Sequence, residues 1–179
     1  MSYKKFLSDY RIEEFFDEKG RKKSKAVYTG DYYVFSPAVS IRDKRLIMIS
    51  SILCWIALIG ALALLTSVSR VRYVMTPSII SVLPLFLMTV SAGTLLLEGE
   101  RMKREKADRV RRWLPPSSLT AVILSCAALL GFIINAVNSG VDQHMVLNDL
   151  LFCLFMLVIA AASCFVFSKC RNLTAKKTE

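Results

Sequence analysis

Four long runs of the chain contain no Asp, Glu, Lys, Arg or His, and short polar connections separate them. About 20 apolar helical residues cross a hydrocarbon core of about 30 Å, because a helix rises about 1.5 Å per residue. A helix in a soluble protein rarely stays apolar over that length, since one of its faces meets water. The pattern therefore predicts an all-α, polytopic membrane protein with four transmembrane helices. The charge-free runs are residues 46–69, 73–97, 113–141 and 150–168.

Capping and helix-breaking residues set the expected boundaries of these helices. Ser40 and Asp43 fit a capping box, with Asp in the place that Glu usually takes, so the first helix begins directly after Ser40. Thr76 and Pro77 predict the N-cap and the first residue of the second helix. Pro84 lies inside that helix and removes one backbone donor, which predicts a kink. We expect a transmembrane domain over residues 41–169, with spans at about 46–67, 77–97, 118–138 and 147–168.

The charged connection between the second and third spans, residues 98–116, keeps a helical pattern. Acidic residues precede basic ones at i,i+4 spacing, which is the favourable orientation and contributes about 0.2–0.5 kcal/mol per pair. We therefore predict that the second helix extends into the cytoplasm as far as Arg112 or Trp113. Pro115 and Pro116 then end it, and one of the two serines that follow caps the third helix. The three acid–base pairs are Glu100–Arg104, Glu105–Arg109 and Asp108–Arg112.

Residues 1–40 are polar and are predicted to form a small cytoplasmic N-terminal cap made of a helix and a hairpin. Ser8 or Asp9 caps a short helix that Gly20 ends. Two β-prone runs follow and flank Gly30, which can take a positive φ and close a hairpin. A disordered basic tail is the alternative, although disordered segments are usually poor in aromatic residues. At the other end of the chain, residues 170–179 are expected to form a basic cytoplasmic tail.

The net charge of +10 is concentrated in three parts of the chain. Basic side chains number 11 in residues 1–45, seven in residues 98–113 and four in residues 169–179. The other two connections together carry two basic residues, Arg70 and Arg72 in one, and two acidic residues, Asp142 and Asp149 in the other. By the positive-inside rule, both termini and the central connection are cytoplasmic, and we expect a multi-pass protein of the plasma (cell) membrane.

This charge distribution also bears on the partners. Basic residues that alternate between dense and sparse loops serve membrane topology, so we expect no nucleic-acid partner. Anionic lipid headgroups at the inner leaflet are the expected electrostatic partners, beside the lipid bilayer itself. A candidate surface for docking a protein partner or lipid consists of Arg101, Arg104, Arg109, Arg112, Trp113, Tyr32 and Tyr33.

Signatures of catalysis are missing from the sequence. The chain has one histidine and contains no HExxH, Cys-x-x-Cys, Walker glycine loop or GxSxG pattern. His144, Asp142 and Asp149 form the one candidate metal cluster, but a solvated helix start explains them better than a metal site. We therefore expect that the protein is not an enzyme and that it has no catalytic, cofactor-binding or metal-binding residues. Four polar residues in or beside the spans are candidate interhelical contacts: Ser125, Asn135, Asn138 and Asp149.

Two hypotheses for function follow, with a third from another class. The first is a small, non-catalytic accessory or interaction subunit that docks a protein partner at the cytoplasmic face. The alternative is an oligomeric small channel or transporter, favoured by Pro84 and by the Asn135 and Asn138 pair. Coupled transporters usually keep an ionisable residue inside the membrane, and the cores of the four predicted spans have none. The third is a membrane enzyme that acts on lipid through Asp31 or Tyr32.

Overall fold

The computed structural model describes residues 9–16, 21–36, 39–64, 71–98, 101–139 and 146–177. Most of these residues are helical, and short strands lie before, between and after the helices. The helices are α1 (Ile41–Ala63), α2 (Arg72–Ile80), α3 (Val82–Leu97), α4 (Arg104–Ser139) and α5 (Val146–Cys170). The strands are β1 (Tyr10–Phe16), β2 (Lys22–Tyr28), β3 (Tyr32–Ser36), β4 (Met102–Lys103) and β5 (Thr174–Lys177).

Four helical stretches in the described part of the chain are long and apolar enough to cross a membrane, with α2 and α3 counted together. The predicted number of long apolar helices is therefore confirmed. The prediction of an all-α fold is wrong, because the described residues outside the bundle form five strands. Large apolar side chains cover the outer surface of the bundle, and many are more than half exposed, among them Ile56, Ile59, Leu83, Leu130 and Leu154.

The helices pack as a bundle in which small side chains lie at the contacts. Helix α5 packs against α1 and α4, and α3 packs against α1 and α4. On α1, Cys54, Ala57 and Ala61 are buried, and Gly60 lies against the ring of Phe155 on α5. Between apolar helices in lipid, small residues permit the close backbone approach on which packing depends. Cys54, Ala57 and Ala61 follow a spacing that keeps them on one face of α1, and that face is buried.

Helix α1 begins as predicted. The Ser40 hydroxyl oxygen accepts a hydrogen bond from the backbone N–H of Asp43 at 3.0 Å, which is the predicted N-cap. The helix ends at Ala63, and residues 65–70 lie outside the described part.

The second span begins earlier than predicted, at Arg72, with Val71 as the N-cap. Pro77 lies inside α2, so the prediction that it starts the helix is wrong. The helix is interrupted at Ser81, three residues before Pro84, which agrees with the predicted kink. Pro84 has no N–H to donate to the carbonyl four residues earlier, and its ring crowds that carbonyl.

From Arg104 onward, the charged central connection belongs to the third long helix, so the prediction that it extends the second helix is wrong. Helix α3 ends at Leu97, where Glu98 takes an extended backbone with φ −83° and ψ 119°. Met102 and Lys103 then form β4, and α4 runs from Arg104 through the two prolines. The i,i+4 pattern correctly indicated helix from Arg104 onward, but it was wrong over Met102 and Lys103 and did not identify the helix to which the segment belongs.

Pro115 and Pro116 do not end a helix, and neither serine after them is an N-cap. Both prolines lie within α4, where the backbone stays helical despite two missing N–H donors. Ser117 donates its hydroxyl to the Leu114 carbonyl at 3.1 Å, and Ser118 donates to the Pro115 carbonyl at 2.9 Å. Both serines are buried, and their hydroxyls are satisfied within the same helix.

The described part of the N-terminal segment is β-structure and not a helix followed by a hairpin. Strands β1 and β2 pair antiparallel, with Tyr10 opposite Tyr28 and Phe16 opposite Lys22. Every second residue of β1 from Tyr10 to Phe16 except Glu14 is apolar or aromatic, a strand period that the helical interpretation overlooked. Gly30 does lie in a turn, but the strands on either side of it, β2 and β3, belong to different sheets. Residues 1–8 and 17–20 lie outside the described part.

Candidate docking face

A three-stranded sheet joins segments that are far apart in the chain. Strand β3 precedes α1, β4 precedes α4 and β5 follows α5, and the strand order is β4-β3-β5. Both neighbours pair antiparallel with β3, with Tyr33 opposite Met102 on one side and opposite Lys177 on the other. The N-terminal segment, the central connection and the C-terminal tail therefore meet at one end of the bundle, which we call the sheet end. Within the predicted C-terminal tail, Thr174–Lys177 form a strand that pairs with β3.

Tyr28 joins the N-terminal hairpin to the start of α4. Its hydroxyl donates to the Asp31 carbonyl at 2.8 Å and accepts from the backbone N–H of Arg104 at 3.1 Å. Its ring meets those of Tyr10 and Tyr32 edge-on, with centroids 5.2 and 5.4 Å away. Burial raises the pKa of the Tyr28 phenol, although the hydrogen bond from Arg104 acts in the opposite direction.

Lys103 completes this aromatic cluster. Its ammonium nitrogen lies 5.2 Å from the centre of the Tyr28 ring and 5.6 Å from that of Tyr10. A cation over an aromatic face within about 6 Å is attracted by the ring quadrupole, which contributes about 0.5–1 kcal/mol at an exposed site. Strand β4 thus contacts the hairpin through this side chain, while its backbone pairs with β3.

The β1–β2 hairpin is held at its base and is otherwise open. The Asp9 carbonyl accepts hydrogen bonds from the N–H groups of Thr29 and Gly30 at 2.9 and 3.2 Å. Gly30 is required there, because a Cβ at this position would lie 2.7 Å from Asp9 Cβ. Farther along β1, Ile12 and Phe16 are 71% and 73% exposed. Each strand pairs only with the other within the described residues, so each has one open edge.

Ionic contacts tie the helices together at the sheet end. Lys169 on α5 pairs with Asp43 on α1 at 3.1 Å, and Lys106 on α4 pairs with Glu98 beyond α3. Lys44 is buried, and its ammonium group donates to the Glu98 carbonyl at 3.4 Å. These contacts place the first turns of α1 and α4 level with the ends of α3 and α5.

The basic residues of the predicted docking surface differ in their contacts. Arg101 is exposed before β4, and Arg104 contributes its backbone N–H to Tyr28. Arg109 forms the predicted ion pair with Glu105 at 3.0 Å, which is confirmed. In the described part of the chain, Arg112 has no ion pair or hydrogen bond, so its predicted pairing with Asp108 is wrong. The third predicted pair involves Glu100, which lies outside the described residues.

Arg112 and Trp113 line a groove between α3 and α4 with a volume of about 400 Å³. Both side chains are exposed, and Trp113 is 39% exposed. The sequence had assigned them to a helical extension in water, but the structure packs this part of α4 beside the first half of α3. The groove is lined by Leu83, Pro84 and Leu87 on α3 and by Arg112, Trp113, Pro116, Ser117 and Thr120 on α4.

The two predicted docking tyrosines have different environments because consecutive strand residues point to opposite faces. Tyr32 is 43% exposed and contacts Tyr28. Tyr33 is half-buried and packs against the core of the bundle. Only Tyr32 therefore offers its ring to an external partner.

The four polar residues that were predicted to make contacts between helices differ in their burial and in their hydrogen-bond partners. Asn135 on α4 is buried, and its side-chain oxygen accepts a hydrogen bond from the Tyr73 hydroxyl of α2 at 3.2 Å. Ser125 is buried but donates to the Ala121 carbonyl of its own helix. Asp149 on α5 is 2% exposed, whereas Asn138 is exposed.

Several polar contacts between helices were not identified from the sequence. The Trp55 indole N–H on α1 donates to the Thr89 hydroxyl on α3 at 2.9 Å. The Cys54 sulfur lies 3.7 Å from the Ser163 hydroxyl of α5. The sequence of an apolar run does not indicate toward which neighbouring helix a tryptophan N–H or a cysteine thiol points. These contacts could therefore be identified only from the structure.

Within the described residues, no group of three or more His, Cys, Asp or Glu side chains is close enough to hold a metal ion. Asp142 and His144, two of the three residues of the candidate metal cluster in the sequence, lie outside the described part. Comparison of the chain with protein-family models, with curated proteins and with solved structures yields no match.

Proposed function

We propose that the chain is a non-catalytic membrane-embedded interaction subunit that docks a protein partner at the sheet end of its bundle. The observation that carries this proposal is the β1–β2 hairpin, with its open strand edges and its exposed Ile12 and Phe16. A two-stranded hairpin alone is marginal in water, and open edges are ready to pair with another strand. A partner that adds a strand or covers the apolar side chains would stabilise the hairpin.

The proposed orientation places the sheet end in the cytoplasm, with the helices in the plasma membrane. The three segments that meet there carry most of the basic residues of the chain, which is the positive-inside pattern. Their meeting in one sheet supports a common side for all three. With four spans, both termini lie on that side.

The proposal is tested with a photo-crosslinking amino acid in place of Phe16 in native membranes. We expect it to capture a protein, which mass spectrometry identifies as a different chain or as a second copy. The matched control replaces Ile59, which is also apolar and 63% exposed but lies on α1 among lipid-facing residues. We expect the control to capture lipid alone. Failure of the Phe16 position to capture any protein overturns the proposal.

The second candidate, an oligomeric small channel or transporter, is favoured by one observation. Asp149 and Asn135 are buried toward the end of the bundle opposite the sheet end, where Asn135 accepts a hydrogen bond from the Tyr73 hydroxyl, and ionisable groups inside membrane spans commonly mark ion or proton pathways. Ion or proton flux in reconstituted liposomes that the substitution Asp149→Asn abolishes would support this candidate. Absence of flux for ions and small solutes would exclude it.

A further inference from the structure

The groove between α3 and α4 is charged at one end and mostly apolar along the rest of its length. Arg112 is the lining residue of α4 nearest the sheet end, and Leu83, Pro84 and Leu87 form the α3 wall. Trp113 lies beside Arg112 and faces the same groove. A phospholipid has a corresponding arrangement, with an anionic phosphate next to an apolar acyl chain. A basic side chain can bind the phosphate, and the tryptophan and the apolar groove can contact the acyl chain.

The position of Arg112 along the axis of the bundle also agrees with phospholipid binding. Leu87, which lines the same groove, lies ten residues before the end of α3 at Leu97, which is about 15 Å along a helix. Helix α1 is aligned with α3 by the hydrogen bond between Trp55 and Thr89 and by that from Lys44 to Glu98. The α1 stretch between those contacts exposes large apolar side chains, Ile49, Ile52 and Leu53.

Arg112 is therefore level with a part of the bundle whose outer surface is apolar on α1 and α3. If the helices cross a bilayer, that apolar surface belongs in or just below the headgroup layer. A guanidinium at that depth is costly unless an anion accompanies it, and Arg112 has no ion pair or hydrogen bond among the described residues. Arg109, one turn nearer the sheet end, is already paired with Glu105.

We infer that the groove between α3 and α4 binds an anionic phospholipid, with its phosphate on Arg112 and one acyl chain along Leu83, Leu87 and Trp113. The planar guanidinium fork suits bidentate hydrogen bonding to phosphate. Basic pockets between membrane helices on the cytoplasmic side are typical sites for acidic headgroups. The inference rests on the proposed insertion of the helices into a bilayer and not on the proposed protein partner.

The two tryptophans of the chain allow a direct test. In a Trp55→Phe background, Trp113 is the only tryptophan, and it lines the groove. The full-length protein is reconstituted in phosphatidylcholine vesicles that contain brominated phosphatidylglycerol or, at equal mole fraction, brominated phosphatidylcholine. Bromine quenches indole fluorescence at contact, so the ratio of quenching by the two lipids measures the preference of the groove. The same measurement on Arg112→Gln, Arg112→Lys and Arg101→Gln assigns that preference to a residue.

We expect the anionic lipid to be enriched about fivefold at Trp113, which corresponds to about 1 kcal/mol for one basic residue near anionic lipid. Arg112→Gln should bring the ratio to unity, and Arg112→Lys should keep part of it. Arg101→Gln removes an exposed charge outside the groove and should leave the ratio unchanged.

Equal quenching by the two lipids in the Trp55→Phe protein overturns the inference, and so does an unchanged ratio in Arg112→Gln. Loss of the preference when inorganic phosphate is added shows that the groove takes a free anion and not a lipid, which also overturns it. Quenching by neither lipid means that the bundle is not inserted, so the proposed membrane location fails as well. Failure of the protein partner alone leaves the quenching ratio unaffected.

Discussion

At the scale of single residues, the sheet end depends on side chains that contact several elements at once. Tyr28 is the best example, because its hydroxyl bonds to backbone groups of the turn before β3 and of α4. A bond of this kind contributes about 0.5–1.5 kcal/mol net. The sequence placed Tyr28 in a β-prone run, but nothing in the run indicates that its hydroxyl reaches a residue 76 positions later.

Tyr28→Phe should weaken the attachment of the hairpin to α4. We expect a loss of about 1–3 kcal/mol in local stability, from two hydrogen bonds. Faster exchange of the Arg104 amide hydrogen, measured by mass spectrometry on protein in nanodiscs, would show it. Tyr10→Phe is the matched control, because the Tyr10 ring packs on Tyr28 while its hydroxyl has no hydrogen bond among the described residues. Equal exchange in the two variants would contradict the role given to the Tyr28 hydroxyl.

The raised pKa of Tyr28 makes the same attachment sensitive to alkaline pH. Burial favours the neutral phenol in the folded protein, so its pKa is above the ordinary value of 10.0. Its contribution is therefore complete below pH 10.0 and is lost as pH rises through the higher folded value. The difference in phenolate absorbance between wild type and Tyr28→Phe should titrate later than a free tyrosine. Titration at or below the ordinary value would contradict this prediction.

At the scale of elements, the sequence predicted what depends on local pattern and missed what depends on pairing. The apolar runs predicted four long helices, the Ser40 cap predicted the start of α1, and Pro84 predicted the interruption before it. Strand partners and helix membership depend on contacts between distant residues. For that reason the β1–β2 pairing and the assignment of the charged segment to α4 were not predicted.

The contact between α1 and α5 depends on a helical glycine. A Cβ at Gly60 would lie 2.8 Å from the Phe155 ring, whereas a Cβ at Gly93 on α3 meets nothing within 4 Å. Gly60→Ala should destabilise the bundle by about 1–3 kcal/mol, because the Phe155 ring must shift. Gly93→Ala should be neutral or stabilise it by up to about 1 kcal/mol, because alanine favours helix. Unfolding in mixed micelles measures both, and an equal response of the two variants would contradict the close packing at Gly60.

At the scale of the whole molecule, the sheet end relates the path of the chain to the proposed docking of a partner. An odd number of crossings would place the two chain ends on opposite sides of a membrane, and β3 and β5 would then be unable to pair. Their antiparallel pairing therefore supports an even number of spans, and this argument does not depend on the distribution of charge. It also places the hairpin, the basic start of α4 and the C-terminal strand on one face, where a single partner can contact all three.

Pairing of the two termini is testable by cysteine cross-linking in intact membranes. Val34 and Lys176 lie directly opposite each other, and facing residues of an antiparallel pair have Cβ atoms about 4.5–5.5 Å apart. With small backbone shifts, Val34→Cys with Lys176→Cys should form an intramolecular disulfide under mild oxidation, seen as a mobility shift that reductant reverses. Val34→Cys with Thr174→Cys is the control, since that diagonal pair is about 7–8 Å apart and should react more slowly. Native cysteines are left in place, because both variants share them. Equal reaction of the two pairs would contradict the register of β5, and reaction of neither would contradict the sheet and remove its support for four crossings.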